Sequence, residues 1–139
     1  MSTDNKALVG RFHREIFEQG SRVAADAICA LDFVWHGANM PPMMPQGPEG
    51  AHWFAALIRS AFSDIRISRD DTIAEGDRVV DRWTFRGTHT GEFLGIPATG
   101  KTVTVTGIDI FRIANGRLAE LWQSWDQLGM LQQLGAIPE

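Results

Sequence analysis

The chain has 139 residues, a common size for one domain; 44% are hydrophobic and 22% charged, as in ordinary soluble globular proteins. A net charge of −4, with both signs scattered along the chain, leaves no basic stripe for phosphates and argues against nucleic-acid binding. No apolar run is long enough to span a bilayer and the polar N-terminus resembles no secretory signal, so we expect a cytoplasmic protein that does not use a membrane.

Apolar residues recur at helical spacing through most of the first half of the chain. The pattern predicts helices over residues 6–19, 22–30 and 48–61, with a short strand or bend at 32–37. Residues 39–47 contain three prolines and three methionines, which is typical of an irregular apolar loop that covers a pocket or packs against a partner. Cys29 is the lone cysteine, so no internal disulfide can form, and its apolar neighbours predict a buried structural thiol.

After Ser63 the period changes to the alternation of strands, which we predict over residues 65–73, 78–88, 102–113 and 117–126. The pair Asn115-Gly116 indicates a tight hairpin, because both positions of a type I′ turn need a positive φ. Residues 128–134 suit a short terminal helix, for which Asp126 is the expected cap. Helices first and strands afterwards predict a single α+β domain over residues 1–139. We expect a cone-shaped, curved antiparallel sheet, closed by N-terminal helices around a mostly apolar pocket.

Three stretches carry a resemblance to a known family: residues 87–97 (GTHTGEFLGIP), 107–113 (GIDIFRI) and 129–135 (GMLQQLG). Together they resemble the SnoaL-like branch of polyketide or ester cyclases, within the nuclear transport factor 2-like superfamily that has the ketosteroid isomerase-like fold. The resemblance covers nearly the whole chain and implies the cone-shaped fold. The reaction type stays open, since this fold hosts cyclases, isomerases, epoxide hydrolases, dehydratases and binders.

The resemblance also implies site residues. Asp109 matches the neutral acid that ketosteroid isomerases place in their oxyanion hole, and His36 falls where those isomerases carry the catalytic base. Gln123 stands where SnoaL-type cyclases and limonene epoxide hydrolases carry a catalytic aspartate, and an amide cannot take a proton. Arg82 matches a positioning arginine of the epoxide hydrolases, but Thr84 replaces the acid that follows it there.

Each of these residues also has a structural interpretation. Asp109 is either a desolvated catalytic acid or a carboxylate paired with an arginine. His36 is either a general base, a partly buried histidine bonded to a backbone carbonyl, or a surface histidine at the Gly37 turn. His89 either lines the pocket mouth or makes a structural hydrogen bond. His13 and His52 lie on predicted helices, where the sequence assigns them no role, and histidines without ligand spacing predict no metal.

The function predicted from these residues is that of a cofactor-free enzyme acting by proton transfer on a hydrophobic carbonyl compound, as an aldol-type cyclase or an isomerase. In this hypothesis His36 takes the proton, Asp109 stabilises the enolate oxygen and Gln123 orients the substrate, with Arg82 at the rim. The predicted apolar walls are Trp35, Trp53, Phe111 and Trp125. The alternatives are an epoxide or ester hydrolase and a non-catalytic binder of apolar small molecules.

Strand alternation also predicts a self-association surface. If Arg82, Thr84, Asp109 and Gln123 all point into the cone, their strand neighbours form an apolar patch on the convex face. The predicted members are Trp83, Phe85, Ile108, Ile110 and Trp122. Such a patch favours a homodimer through the convex face of the sheet.

Overall fold

A computed structural model describes residues 2–37 and 40–138. Its helices are α1 (Ser2–Arg11), which continues directly into a π-helical segment (Phe12–Glu18), then α2 (Arg22–Ile28), α3 (Gly47–Ala61) and α4 (Gln127–Gln133). In the wider π-helix residues four and five apart share a face, so the adjacent pairs at 12–13 and 16–17 all point inward.

Side chains and proline define where the later helices begin. Ser21 caps α2 by accepting the Ala24 N–H, and Pro48 occupies the first turn of α3, where a missing N–H has no cost. Asp126 caps α4 by accepting the Gly129 N–H at 2.9 Å, which confirms the predicted cap.

The five strands are β1 (Cys29–Gly37), β2 (Phe62–Glu75), β3 (Arg78–His89), β4 (Thr102–Ala114) and β5 (Arg117–Trp125). They form one sheet in the order β1-β5-β4-β3-β2. All neighbours are antiparallel except β1 and β5, which run parallel. The predicted α+β class and curved sheet are confirmed, with one difference: β1 joins the sheet in parallel to β5, a pairing that the long chain segment between them permits.

The concave face of the sheet carries the core and is covered by α1, the π-helical segment and α3. Along β4 the burial alternates strictly, with Val105, Asp109 and Phe111 buried and Thr106 and Ile108 exposed. An aromatic cluster fills the cone, in which Phe12 contacts Phe17, Trp35 and Phe111 by tilted and edge-on packing.

The registry of β3 against β4 overturns part of the convex-face prediction. Asp81 lies directly opposite Asp109, and directly paired residues share a face of the sheet. Trp83 and Phe85 are therefore buried inside, where we had expected them outside, while Arg82 and its neighbour Thr84 face outward.

Two other features of the sequence have clear positions. Cys29 is fully buried at the start of β1, and burial raises the pKa of its thiol to about 12, so it is a structural residue as predicted. In the predicted apolar loop, Asn39 lies outside the described residues, Met40 and Met44 pack against the core, and Met43 is exposed.

Within the part of the chain that the structure describes, no helix has both the length and the apolar character needed to cross a membrane.

Candidate active site

A pocket opens into the concave face of the sheet, with about 530 Å³ of empty space up to and including its solvent-filled mouth. Its walls are almost entirely apolar, and their polar groups are confined to one side, as in sites that orient a hydrophobic ligand by a few contacts. The lining residues are Phe12, His13, Phe17, Phe54, Ile58, Ile67, Trp83, Phe85, Val105, Gln123, Trp125 and Met130.

A row of polar residues crosses the sheet beneath this pocket. Thr72, Asp81, Asp109 and Gln123 are successive cross-strand partners on β2, β3, β4 and β5. Both aspartates are completely buried, and two adjacent buried carboxylates repel one another unless a hydrogen-bond donor lies between them.

His13 supplies that group. It projects from the π-helical segment onto the pocket wall, and its Nε2 lies 3.0 Å from Asp81 Oδ2 and 3.7 Å from Asp109 Oδ2. Nε2 lies between the two carboxylates but makes a well-aligned hydrogen bond to neither of them. The imidazole therefore connects the buried acids to the pocket.

The two acids differ in their electrostatic surroundings. Burial raises the pKa of Asp109 to about 6, although the nearby His13 and the Trp83 and Gln123 side chains favour its ionised form. Burial also opposes ionisation of Asp81, but the nearby His13 ring and the hydrogen bonds from Thr72 and Arg69 outweigh it and hold the pKa of Asp81 below its usual value. The site thus pairs a carboxyl whose pKa is lowered with one whose pKa is raised to about 6.

Trp83 lies flat over the sheet because of the residue opposite it. Gly107 is the cross-strand partner of Trp83 on β4, and a Cβ atom at Gly107 would overlap the indole ring. With no side chain there, the ring fits against the strand and leaves the pocket open above it.

Three predicted site residues lie in or directly beneath the pocket. Gln123 and Trp125 line it from β5. Asp109 points into the cone as expected, but it lies behind His13, Trp83 and Gln123 and is not itself part of the pocket wall.

The expected position of His36 is wrong. It lies on the convex face, stacked on Trp122 and with Nε2 2.6 Å from Glu120 Oε2. The reason is strand parity: His36 pairs with Trp122, while its neighbour Gly37 pairs with Gln123 on the concave side. His36 and Asp109 therefore face opposite sides of the sheet.

The expected position of Arg82 is wrong for the same reason. It is exposed on the convex face, where it lies 3.9 Å from Asp70, because Asp81 and Trp83 on either side of it occupy the concave face. Thr84, on the same outer face, donates a hydrogen bond to Asp70.

The remaining predicted residues support the walls rather than form them. His89 is completely buried and accepts the Thr99 N–H through Nδ1 at 3.2 Å, which fixes the loop after β3. Trp35 and Phe111 are buried behind the lining residues, and Trp53 is half-buried on α3. None of these four is among the lining residues of the pocket.

His13 is the site residue that the sequence did not single out. Its helix was predicted, but helical spacing does not show which buried position meets a carboxylate from another element. The available signal was a histidine between the apolar residues Phe12 and Ile16, since a buried imidazole needs a polar partner. Among the described residues, no cluster of three or more His, Cys, Asp or Glu side chains is arranged to hold a metal ion.

Comparison with known proteins agrees with this fold. The family model for SnoaL-like polyketide cyclase matches residues 7–134, so the chain belongs to that family. Aklanonic acid methyl ester cyclase DauD of Streptomyces sp. (strain C5) is 30% identical over 110 residues, which cover 75% of this chain and 68% of DauD.

Solved structures extend the similarity to the whole chain. TsrD from Streptomyces laurentii superposes with a TM-score of 0.87 at 31% identity, covering 99% of this chain and 98% of TsrD. Wild-type IdmH from Streptomyces antibioticus gives a TM-score of 0.79 at 31% identity, covering 94% of this chain and 98% of IdmH. The family resemblance inferred from the sequence is therefore confirmed.

Proposed function

We propose that the chain is a cofactor-free cyclase that closes a carbon–carbon bond in an uncharged, hydrophobic carbonyl compound by acid–base catalysis. The observation that carries the proposal is the position of His13, which lies on the wall of an apolar pocket with Nε2 between two buried carboxylates. A histidine backed by a carboxylate is a strong general base that can return the proton later in the reaction.

The reaction runs in two steps with no outside reagent. His13 takes a proton from a carbon next to a carbonyl, and the resulting enolate carbon attacks a second carbonyl carbon of the same molecule. The electron pair of that C=O bond moves to its oxygen, and the imidazolium returns the proton there. The Gln123 amide lines the pocket beside this group and donates a hydrogen bond to the developing enolate oxygen.

The residues also favour an uncharged substrate. Arg69 donates to Asp81 through Nε at 2.9 and 3.2 Å, and no lysine or arginine is among the lining residues of the pocket. The name of the relative DauD gives its substrate as a methyl ester, in which the acid group is uncharged.

The test measures hydrogen exchange on a neutral hydrophobic ketone, 2-tetralone, in D₂O. We expect the protein to accelerate loss of the α-protons in the NMR spectrum well beyond an equal concentration of imidazole. His13→Gln should remove this acceleration by roughly a hundredfold or more, the usual contribution of a general base. His36→Gln, the matched substitution on the convex face, should leave the rate unchanged.

A binder of apolar small molecules is the second candidate, because Gln123 is an amide where related cyclases carry an acid. In that case 2-tetralone would quench the fluorescence of Trp83 and Trp125 without any enzyme-dependent exchange. Equal loss of exchange in the two histidine variants would also count against His13 as the base.

A further inference from the structure

Asp81 is a buried carboxylate beside His13 that has no role of its own in the steps of the proposed reaction. It is completely buried on β3 and is held from two sides. Thr72 donates its hydroxyl to Oδ1 at 2.6 Å, and Arg69 contacts both oxygens through Nε. Its Oδ2 lies 3.0 Å from His13 Nε2.

This anchoring distinguishes Asp81 from Asp109. Asp109 lies farther from Nε2, at 3.7 Å, and neither of its oxygens accepts a well-aligned hydrogen bond from the described residues. Asp81 has a rigid set of donors and remains ionised, so it is the fixed partner of the imidazole. Asp109 is the adjustable one.

An ionised carboxylate only accepts hydrogen bonds. The nitrogen that faces Asp81 must therefore carry the proton when the imidazole is neutral. That leaves the lone pair on Nδ1, for which no hydrogen-bond partner is found among the described residues. Nδ1 is the nitrogen left to act as the base in the pocket.

We infer that Asp81 is a positioning residue, held by Arg69 and Thr72, that keeps His13 in the Nε2–H tautomer with its basic Nδ1 toward the substrate. The catalytic part of this statement rests on the proposed function. The tautomer itself is a property of the protein without any ligand.

The decisive measurement is ¹⁵N NMR of the His13 ring in the ligand-free protein at pH 8, assigned by its loss in His13→Gln. We expect wild type to show the proton on Nε2. In Asp81→Asn the new amide can donate to Nε2, so the proton should move largely to Nδ1. Exchange of 2-tetralone should then fall by roughly a hundredfold or more, because the base is in the wrong tautomer.

A gentler pair of variants covers the case in which Asp81→Asn does not fold. Thr72→Val keeps the carboxylate but removes one of its anchors, so the fraction of Nε2–H should drop. Thr84→Val is the matched control, since Thr84 donates to Asp70 on the opposite face and should leave the His13 signals unchanged.

A wild-type ring protonated on Nδ1, or on both nitrogens at pH 8, would overturn the inference. So would an unchanged tautomer in both Asp81→Asn and Thr72→Val. If the tautomer responds as expected while wild type shows no exchange of 2-tetralone, the positioning role of Asp81 stands and the proposed reaction fails.

Discussion

At the scale of single residues, Asp109 shows how burial makes ionisation of a carboxyl group unfavourable inside the cone. Its carboxyl is completely buried, and its pKa rises from 3.8 to about 6, mainly because burial disfavours the charged form. Well below pH 3.8 both the folded and the unfolded chain hold the proton, and between 3.8 and about 6 only the folded chain keeps it, so stability falls over this range. As the pH rises through 6 the folded protein must also give it up, so ionisation of Asp109 then destabilises the fold fully.

Asp109→Asn should therefore stabilise the protein increasingly with pH. The difference in unfolding free energy between variant and wild type should grow by up to about 3 kcal/mol from pH 4 to pH 7.5, the equivalent of a two-unit shift. Urea unfolding at both pH values measures it.

Asp70→Asn provides the opposite sign as a control. Hydrogen bonds from Thr84 and Ser68 lower the pKa of Asp70, so its carboxylate contributes stability that is lost as the pH falls. A difference for Asp109→Asn that does not vary with pH would contradict the assignment of a desolvated acid.

At the scale of elements, α4 is a short helix whose position depends on contacts at both of its ends. Asp126 caps the first turn, and the Gln133 side chain both donates to Thr104 O and accepts from Thr104 N, at 2.8 and 2.7 Å. Gln133 thus pairs with β4 where β5 has already ended. Between these ends Met130 lines the pocket.

Asp126→Ala should destabilise the protein by about 1 kcal/mol, because one helix N–H loses its partner. Asp126→Asn, which keeps an accepting oxygen, should retain most of the stability. Thermal or urea unfolding compares the two. An alanine variant as stable as the asparagine variant would show that Gln133 and the packing of Met130 hold α4 without the cap.

The elements themselves were largely predictable, since helical spacing, alternation and the Asn115-Gly116 turn are local signals. The family resemblance predicted Asp109 on the inner face, where the structure also has it. The prediction of which β3 residues face inward was wrong. Their orientation depends on which residue pairs with Asp109 across the sheet, and the sequence of the connecting loop over residues 90–101 does not determine that registry. His13 was missed for a similar reason: its meeting with Asp81 joins residues far apart in the chain.

At the scale of the whole molecule, the convex face is the open side of the sheet. Ile108, Ile110 and Trp122 lie there as predicted, but Trp83 and Phe85 do not. Ile73, Val80, Ile110 and Trp122 are successive cross-strand partners that form a stripe, beside Ile108. Ile73, Ile108 and Ile110 are 59%, 49% and 37% exposed. We propose that two copies of the chain cover this stripe by pairing about a two-fold axis.

Ile110→Glu should convert a dimer into a monomer at micromolar concentration, because it places a charge at the centre of the stripe. Light scattering measures the mass. Val23→Glu on α2 is the control, since Val23 is also exposed but lies away from the sheet. A monomeric wild type at that concentration would contradict the proposed dimer.

The Gly107–Trp83 pair links the sheet to the size of ligand that the cone admits. The backbone at Gly107 lies in a regular strand, so alanine would keep the hydrogen-bonded ladder while its methyl group displaced the indole toward the cavity. At this position the backbone atoms determine the hydrogen bonding of the sheet, and the side chain determines the size of the cavity. A single methyl group at this position would therefore change the volume of the cavity while the sheet beneath it stays the same, which makes this pair a natural point for redesign.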